Sequence, residues 1–189
     1  TYAPLVAMFN TGNIYWNDYW TYANGTKIPA PVLIPNAYTE GYVKNALDND
    51  YHLGFVGELD LHTKAINGSE YSYTGVVANS LSREGIFEAL KSRHTFAVLS
   101  PYGLGTKTLL KATTGNYIMG DQFVYPSNTI EISLKGQTDL QSFTLVNLFV
   151  NGIVVETRAL SAQTLDEKFN VALNNGENYV FFDVRAQGT

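Results

Sequence analysis

The sequence predicts two architectures in series: an α/β unit over residues 1–103 and an all-β antiparallel sandwich over residues 104–189. Three observations predict this. The first hundred residues alternate strand-like and helix-like runs, an order that argues for parallel strands joined by helices. The texture changes at Ser100-Pro-Tyr-Gly-Leu-Gly105, beyond which only strand-like runs occur. Of the 189 residues, 45% are hydrophobic and 15% charged, a balance that supports a sizeable core and argues against wholesale disorder.

The elements follow in order. Residues 2–9 read as a short buried strand. Residues 10–35 read as a long ordered loop with a helical turn near Trp16–Tyr22, its aromatics (Tyr15, Trp16, Tyr19, Trp20, Tyr22) forming a plug over the core. Residues 39–48 read as a helix. Thr39 caps it, Glu40 suits the positive N-terminal end, and Tyr42, Val43, Ala46 and Leu47 form one apolar face. Leu53–Leu59 is a buried strand, and residues 62–72 are a polar loop. Residues 82–93 carry the clearest helical signal. Ser82 is the N-cap, Glu84 sits in the first turn, and Ile86, Phe87 and Leu90 share a face. A short strand, Thr95–Leu99, closes the first unit.

The second unit contains strand-like runs at 107–112, 129–135, 143–150, 153–158, 169–173 and 179–186. Between two of them stands Val150-Asn-Gly-Ile153. Asn-Gly populates the type I′ turn that matches strand twist, so this pair predicts a hairpin. Phe143, Leu145, Leu148, Phe149, Tyr179, Phe181 and Phe182 read as core and inter-sheet packing. No cluster of ionisable residues is evident in this half.

Chemistry is suggested at one place. The apolar run Gly54-Phe-Val-Gly-Glu-Leu-Asp60-Leu-His62 ends in a carboxylate and an imidazole two residues apart. Open α/β folds place their chemistry at such strand ends. Asp offers hard oxygen and neutral His a borderline nitrogen, so Asp60 and His62 are candidate ligands for Zn, Mn or Fe. On spacing alone, a loop Asp capping backbone N–H groups beside a solvated His is the competing reading. Glu58 stands close enough to act as a further ligand or as a supporting group. The other two histidines read differently. His94 follows a helix C-terminus, where capping a carbonyl suits it, and His52 lies at the opposite end of the strand. Arg83 and Arg93, at helix ends, read as solvated or capping residues.

The series Tyr42-Val-Lys-Asn-Ala-Leu47, Leu53-Gly-Phe-Val-Gly-Glu-Leu-Asp-Leu-His62, Thr74-Gly-Val-Val-Ala78 and Ser82-Arg-Glu-Gly-Ile-Phe-Glu-Ala-Leu-Lys-Ser-Arg-His-Thr-Phe-Ala97 resembles the C-terminal part of the PHP (polymerase and histidinol phosphatase) superfamily. The resemblance is closest to its CehA/McbA-like branch of metal-dependent hydrolases. It covers residues 39–124 and, more loosely, a trailing sandwich. It implies a partial PHP-type β/α barrel-like unit, an Ig-like β-sandwich behind it, and Asp60 and His62 as ligands in a multinuclear metal site. It also implies a parent phosphoesterase acting on a small phosphate ester or related ester. The early His-x-His motif and the middle ligands of that branch do not occur in this sequence, and Glu58 and Leu59 stand where small residues are usual. The isolated chain is therefore expected to bind a divalent transition metal weakly and to turn nothing over. The alternative is a non-catalytic cell-surface module, structural or binding, with a degenerate PHP-like segment. A carbohydrate-binding sandwich is a third option.

Several classes are disfavoured. A net charge of −5 with no Lys/Arg cluster argues against a nucleic-acid surface. No apolar stretch reaches the length of a membrane span. There are no cysteines, so disulfides and thiolate chemistry are excluded. Plentiful Tyr, Asn, Gly and Thr lean towards an extracellular or cell-surface protein, and Asn24-Gly-Thr26 and Asn67-Gly-Ser69 fit the glycosylation pattern. The start at Thr1 and the end just after a strand-like run read as those of a fragment. An opened barrel exposes strand edges, which a second copy in a homo-oligomer or the aromatic segment Tyr15–Tyr22 would cover.

Overall fold

A computed structural model of the chain describes residues 5–10, 13–14, 19–29, 43–58, 71–100, 107–140 and 142–187. They fall into two compact units, one of residues 1–18 and 29–106, the other of residues 19–28 and 107–189.

The first unit opens with β1 (Leu5–Asn10) and β2 (Asn13–Ile14), an antiparallel pair. The chain then lends β3 (Tyr19–Tyr22) and β4 (Lys27–Pro29) to the sandwich sheet. It returns to the first unit at α1 (Val43–Asp48), which buries Val43 and Leu47 and carries a Lys44–Asp48 ion pair one turn apart. Next, β5 (Gly54–Glu58) lies parallel to β1, with Leu5 opposite Gly54 and Asn10 opposite Glu58. β6 (Tyr71–Val76) and β7 (Thr95–Ser100) form a separate antiparallel pair, with α2 (Arg83–Lys91) between them in sequence.

This arrangement corrects the predicted α/β barrel-like unit. The described residues are mostly strand, with two helices, and no α/β barrel unit is seen. Among its described residues the unit holds one parallel pair, β1–β5. The second helix does not carry the chain between parallel neighbours but returns it antiparallel, from β6 to β7. The sequence order misled because β6 went unread as a strand. Its Tyr-Ser-Tyr-Thr-Gly-Val run is polar and contains Gly75, whereas in the fold the Phe96 ring of β7 lies over that glycine. Once β6 is counted, a strand–helix–strand reading no longer requires parallel strands.

α2 forms where its capping residues dictate. The Ser82 hydroxyl accepts from the Gly85 N–H at 3.0 Å, the N-cap bond that an early helix donor needs. At the other end, the Arg93 N–H donates to the Leu90 carbonyl and the His94 N–H to the Ala89 carbonyl. This is a Schellman closure, with Arg93 at φ 63° in the place usually held by glycine. His94 thus caps through its backbone. The predicted apolar face is corrected in part. Phe87 is 63% exposed, whereas Ala89 is buried. The inward face is Gly85, Ile86, Ala89 and Leu90, one residue round the helix from the predicted stripe.

The second unit is a sandwich of two sheets. One sheet has the order β13-β10-β8-β9, built from β8 (Thr108–Thr114), β9 (Tyr117–Ile118), β10 (Thr129–Thr138) and β13 (Thr164–Ala172). The other has the order β14-β11-β12-β3-β4, with β11 (Ser142–Val150), β12 (Ile153–Ala162) and β14 (Val180–Gln187). Every pairing among β8–β14 is antiparallel, while β3 joins β12 in parallel through Thr21 and Tyr22. The loop read over residues 10–35 is thereby corrected where it is described, since 19–22 and 27–29 are strands. Tyr15 and Trp16 lie outside the described residues.

The core sits between the two sheets. Ile130, Ile132 and Leu134 of β10, with Leu165, Phe169 and Val171 of β13, meet Phe143, Val146, Leu148 and Val150 of β11. Alternation along β10 and β13 selects these inward positions. Asn151 and Gly152 take φ values of 49° and 77° between Val150 and Ile153, the backbone of a type I′ turn that glycine and asparagine tolerate. Phe149 and Phe181 stack on each other at 4.5 Å, outside the shared inter-sheet cluster. They alternate with Leu148 and Phe182, so they belong to the opposite face of their sheet. The inter-sheet role read for them is corrected accordingly.

Candidate functional site

The sequence points to the end of β5, and the fold gives that end a definite setting. β1 and β5 run side by side in the same direction and finish together at Asn10 and Glu58. Gly54 lies against Thr95 at the start of β7, and Gly57 lies against Tyr73, whose register partner on β7 is Val98. β7 therefore advances in the same sense as β5. β1 and β5 thus end together, and β7 runs past β5 in the same sense.

Gly57 is what permits this approach. A Cβ there would meet the Tyr73 carbonyl oxygen at 2.5 Å, a separation that side chains do not tolerate. In the space left, the Thr74 hydroxyl donates to the Gly57 carbonyl at 2.8 Å and accepts from the Gly57 N–H at 3.1 Å. Directly opposite pairs in an antiparallel ladder point to one side, so Ser72, Thr74 and Thr95 share a face of the β6–β7 pair. Ser72 and Thr95 are both buried, and neither hydroxyl has a hydrogen-bond partner.

Of the predicted site residues, Glu58 is described. It is exposed at the last position of β5. Asp60 and His62 lie outside the described residues. Among the described residues no group of three His, Asp or Glu side chains is placed to hold a metal. As a donor set, Glu58, Asp60 and His62 combine hard oxygens with a borderline nitrogen, which suits Zn, Mn or Fe. His52 is exposed and precedes β5, at its opposite end.

Sequence reading missed two polar clusters in the sandwich, and the expectation of none there is corrected. In the first, Asn147 of β11 is fully buried. Its amide donates to Asp183 at 3.0 Å and its carbonyl oxygen accepts from the Thr157 hydroxyl at 2.7 Å. Arg185 donates to the same Asp183 oxygen at 3.1 Å. The Asp183 side chain keeps 26% of its surface. Burial pushes its carboxyl above the ordinary range, against the downward pull of Arg185 and Asn147. Register joins these groups, since Asn147 faces Thr157 on one side and Asp183 on the other. Residues so far apart in sequence leave no local signal.

In the second cluster, Arg158 lies 3.8 Å above the Phe169 ring. It pairs with Glu156 and Glu167, each at 2.6 Å, and reaches the Lys168 carbonyl at 2.9 Å. Burial alone would lower its pKa, yet the hydrogen bonds and charges of the two glutamates raise it overall. Phe169 is core and Arg158 closes over it from β12, so this cluster ties one sheet to the other.

No protein-family model, curated protein or solved structure matches the chain. No helix among the described residues is long and apolar enough to cross a membrane.

Proposed function

We propose that this chain contributes part of a divalent-metal site in a metal-dependent hydrolase of the phosphoesterase type, with Asp60 and His62 as ligands and Glu58 beside them. One observation supports the reading: β1 and β5 end together at Asn10 and Glu58, with β7 advancing in the same sense, and Asp60 follows two residues later in sequence. A rim where neighbouring strands end together is where catalytic side chains of parallel sheets gather. A bound metal would supply a hydroxide near neutral pH and stabilise developing negative charge. The chain's own residues would hold it: Asp60 and His62 by direct ligation, Glu58 as a further carboxylate. A small phosphate ester or related ester is the substrate class.

A second reading follows from the architecture. Among the described residues the first unit holds one parallel pair, β1–β5, and two antiparallel ones, β1–β2 and β6–β7, with Glu58 and Leu59 leading to Asp60 in sequence. This favours a non-catalytic surface module in which the motif has lost its constraint. Elemental mass spectrometry of the purified chain, beside an Asp60→Ala/His62→Ala variant, separates the two. Transition metal retained by the wild type and lost by the variant supports the hydrolase reading. No metal in either sample favours the module.

A further inference from the structure

We propose that two copies of this chain dimerise edge to edge through β14, pairing antiparallel about a two-fold axis at Val184. The support begins with the direction of the β14 backbone. Among the described residues β14 stands last in its sheet, with β11 on one side alone. The Asn151 N–H donates to the Tyr179 carbonyl at 3.0 Å, so Tyr179 turns its polar groups to the β11 side. Strand alternation gives Phe181, Asp183 and Arg185 the same direction and turns the N–H and C=O groups of Val180, Phe182, Val184 and Ala186 outward. None of these four has a backbone partner on the outer side among the described residues. Their side chains pack on the core and yet are only half-buried, whereas Val146 and Leu148, their neighbours on β11, are 0% and 1% exposed.

The other edges of the sandwich are guarded. On β13 the Lys168 carbonyl accepts from Arg158, and Asp166 and Lys168 are exposed along the strand. β9 has two residues, and exposed Lys111 stands on the part of β8 that it leaves uncovered. β4 has three residues, the last a proline. Short strands, charges and proline are the devices that keep edges from pairing. β14 has eight residues, Val-Phe-Phe-Asp-Val-Arg-Ala-Gln, with no proline and no lysine.

The sequence of β14 selects a second copy of itself. Asp183 and Arg185 flank Val184. An axis at Val184 therefore sets Asp183 of each copy opposite Arg185 of the other, two complementary pairs on one face. On the core face it sets Phe182 opposite Ala186, large against small, and Val184 opposite itself. Val184 and both Phe182–Ala186 pairs then use the outward backbone groups, so the hydrogen-bond ladder continues across the axis. Moving the axis one residue either way sets Asp183 against Asp183 or Arg185 against Arg185, which like-charge repulsion disfavours. Charge thus fixes a single register, and the short, proline-ended β4 at the far edge stops growth at two copies. The inference is independent of the metal-site reading and stands or falls without it.

The test is sedimentation equilibrium of the full chain from about 1 µM to about 300 µM, with amide hydrogen exchange at both ends of that range. A dimer is expected with a dissociation constant on the order of 10 µM, the strength of a small interface. The amides of Phe182, Val184 and Ala186 should exchange about tenfold more slowly in the dimer, while those of Phe181 and Asp183, turned to β11, are protected at either concentration. Val184→Pro removes an N–H that β11 does not use and should weaken association about tenfold or more. Arg185→Glu sets a carboxylate against Asp183 of the other copy and should do the same, with Arg185→Lys within about threefold of wild type. Thermal melting checks that the variants fold, and exchange in the wild type answers the question if they do not. Three outcomes overturn the proposal: a monomer at the highest concentration, a dimer that Val184→Pro leaves intact, or slow exchange of Phe182, Val184 and Ala186 already in the monomer, which would show that the chain covers its own edge.

Discussion

The Thr74 hydroxyl closes on the backbone of Gly57, donating to its carbonyl and accepting from its N–H across 17 positions of sequence. One side chain satisfies both polar groups of a residue whose own side chain has been dispensed with. The contact anchors the β6–β7 pair to β5 just below the rim where Glu58 stands.

Thr74→Val keeps the shape and removes the hydroxyl. Two buried backbone groups then lose their partner, which costs about 1–3 kcal/mol. Faster hydrogen exchange at the Gly57 amide and a lower melting temperature are the expected readouts, with Thr74→Ser restoring most of the loss. Unchanged exchange at Gly57 would show that the clamp contributes little.

Asp183 sets a pH dependence. Burial raises its folded-state pKa above an unfolded value of about 3.9. The folded protein therefore holds the proton more tightly. Its contribution to stability is fully present below about pH 4 and is lost as pH rises through the folded value. Asp183→Asn removes the poorly solvated charge and leaves an oxygen to accept from Asn147. Arg185, 40% exposed, stays solvated without its partner. The variant should flatten this part of the stability profile and gain on the order of 1 kcal/mol at pH 7. Denaturant midpoints measured from pH 4 to 8 check the sign.

Arg158 joins two sheets through one planar cation. Arg158→Ala uncovers Phe169 and leaves Glu156 and Glu167 without the cation they share, at a cost of about 1–3 kcal/mol. Arg158→Lys should recover little, because an ammonium cannot serve two carboxylates and a carbonyl while lying flat on a ring. Urea midpoints of the three proteins decide this, and a lysine variant as stable as wild type would place the contribution in charge alone.

Arg93 carries the helix α2 closure at positive φ. Arg93→Gly and Arg93→Ala both remove the side chain, so their difference isolates the backbone. Glycine should be the more stable by about 1 kcal/mol, since a Cβ is penalised in this conformation. Equal stabilities would mean that the closure relaxes on substitution.

The strand that leads to the candidate site was legible because its signal is short-range. The run from Gly54 to Glu58, with Asp60 two residues beyond in sequence, reads as a strand leading out of the core, and Glu58 does end β5. The setting of that strand end was not legible. It depends on β6, whose polar, glycine-containing sequence carries no strong strand signal, and on Thr74 reaching a backbone 17 residues away. The Asn147–Asp183 cluster was invisible for the same reason: its members stand 36 positions apart and meet only when β11 and β14 pair.

By itself the sequence determined what neighbouring residues settle among themselves. Ser82 starts α2, Asn151-Gly152 turns the hairpin, and alternation along β10 and β13 chooses the core residues. These are local choices of dihedral angle, hydrogen bond and periodicity. Tertiary structure alone decided which strands run parallel, which side of α2 faces inward, where residues 19–29 pair, and how Asp183 is solvated. Each depends on partners distant in the chain, and the free energy of such pairing is a property of the packed whole rather than of any short segment.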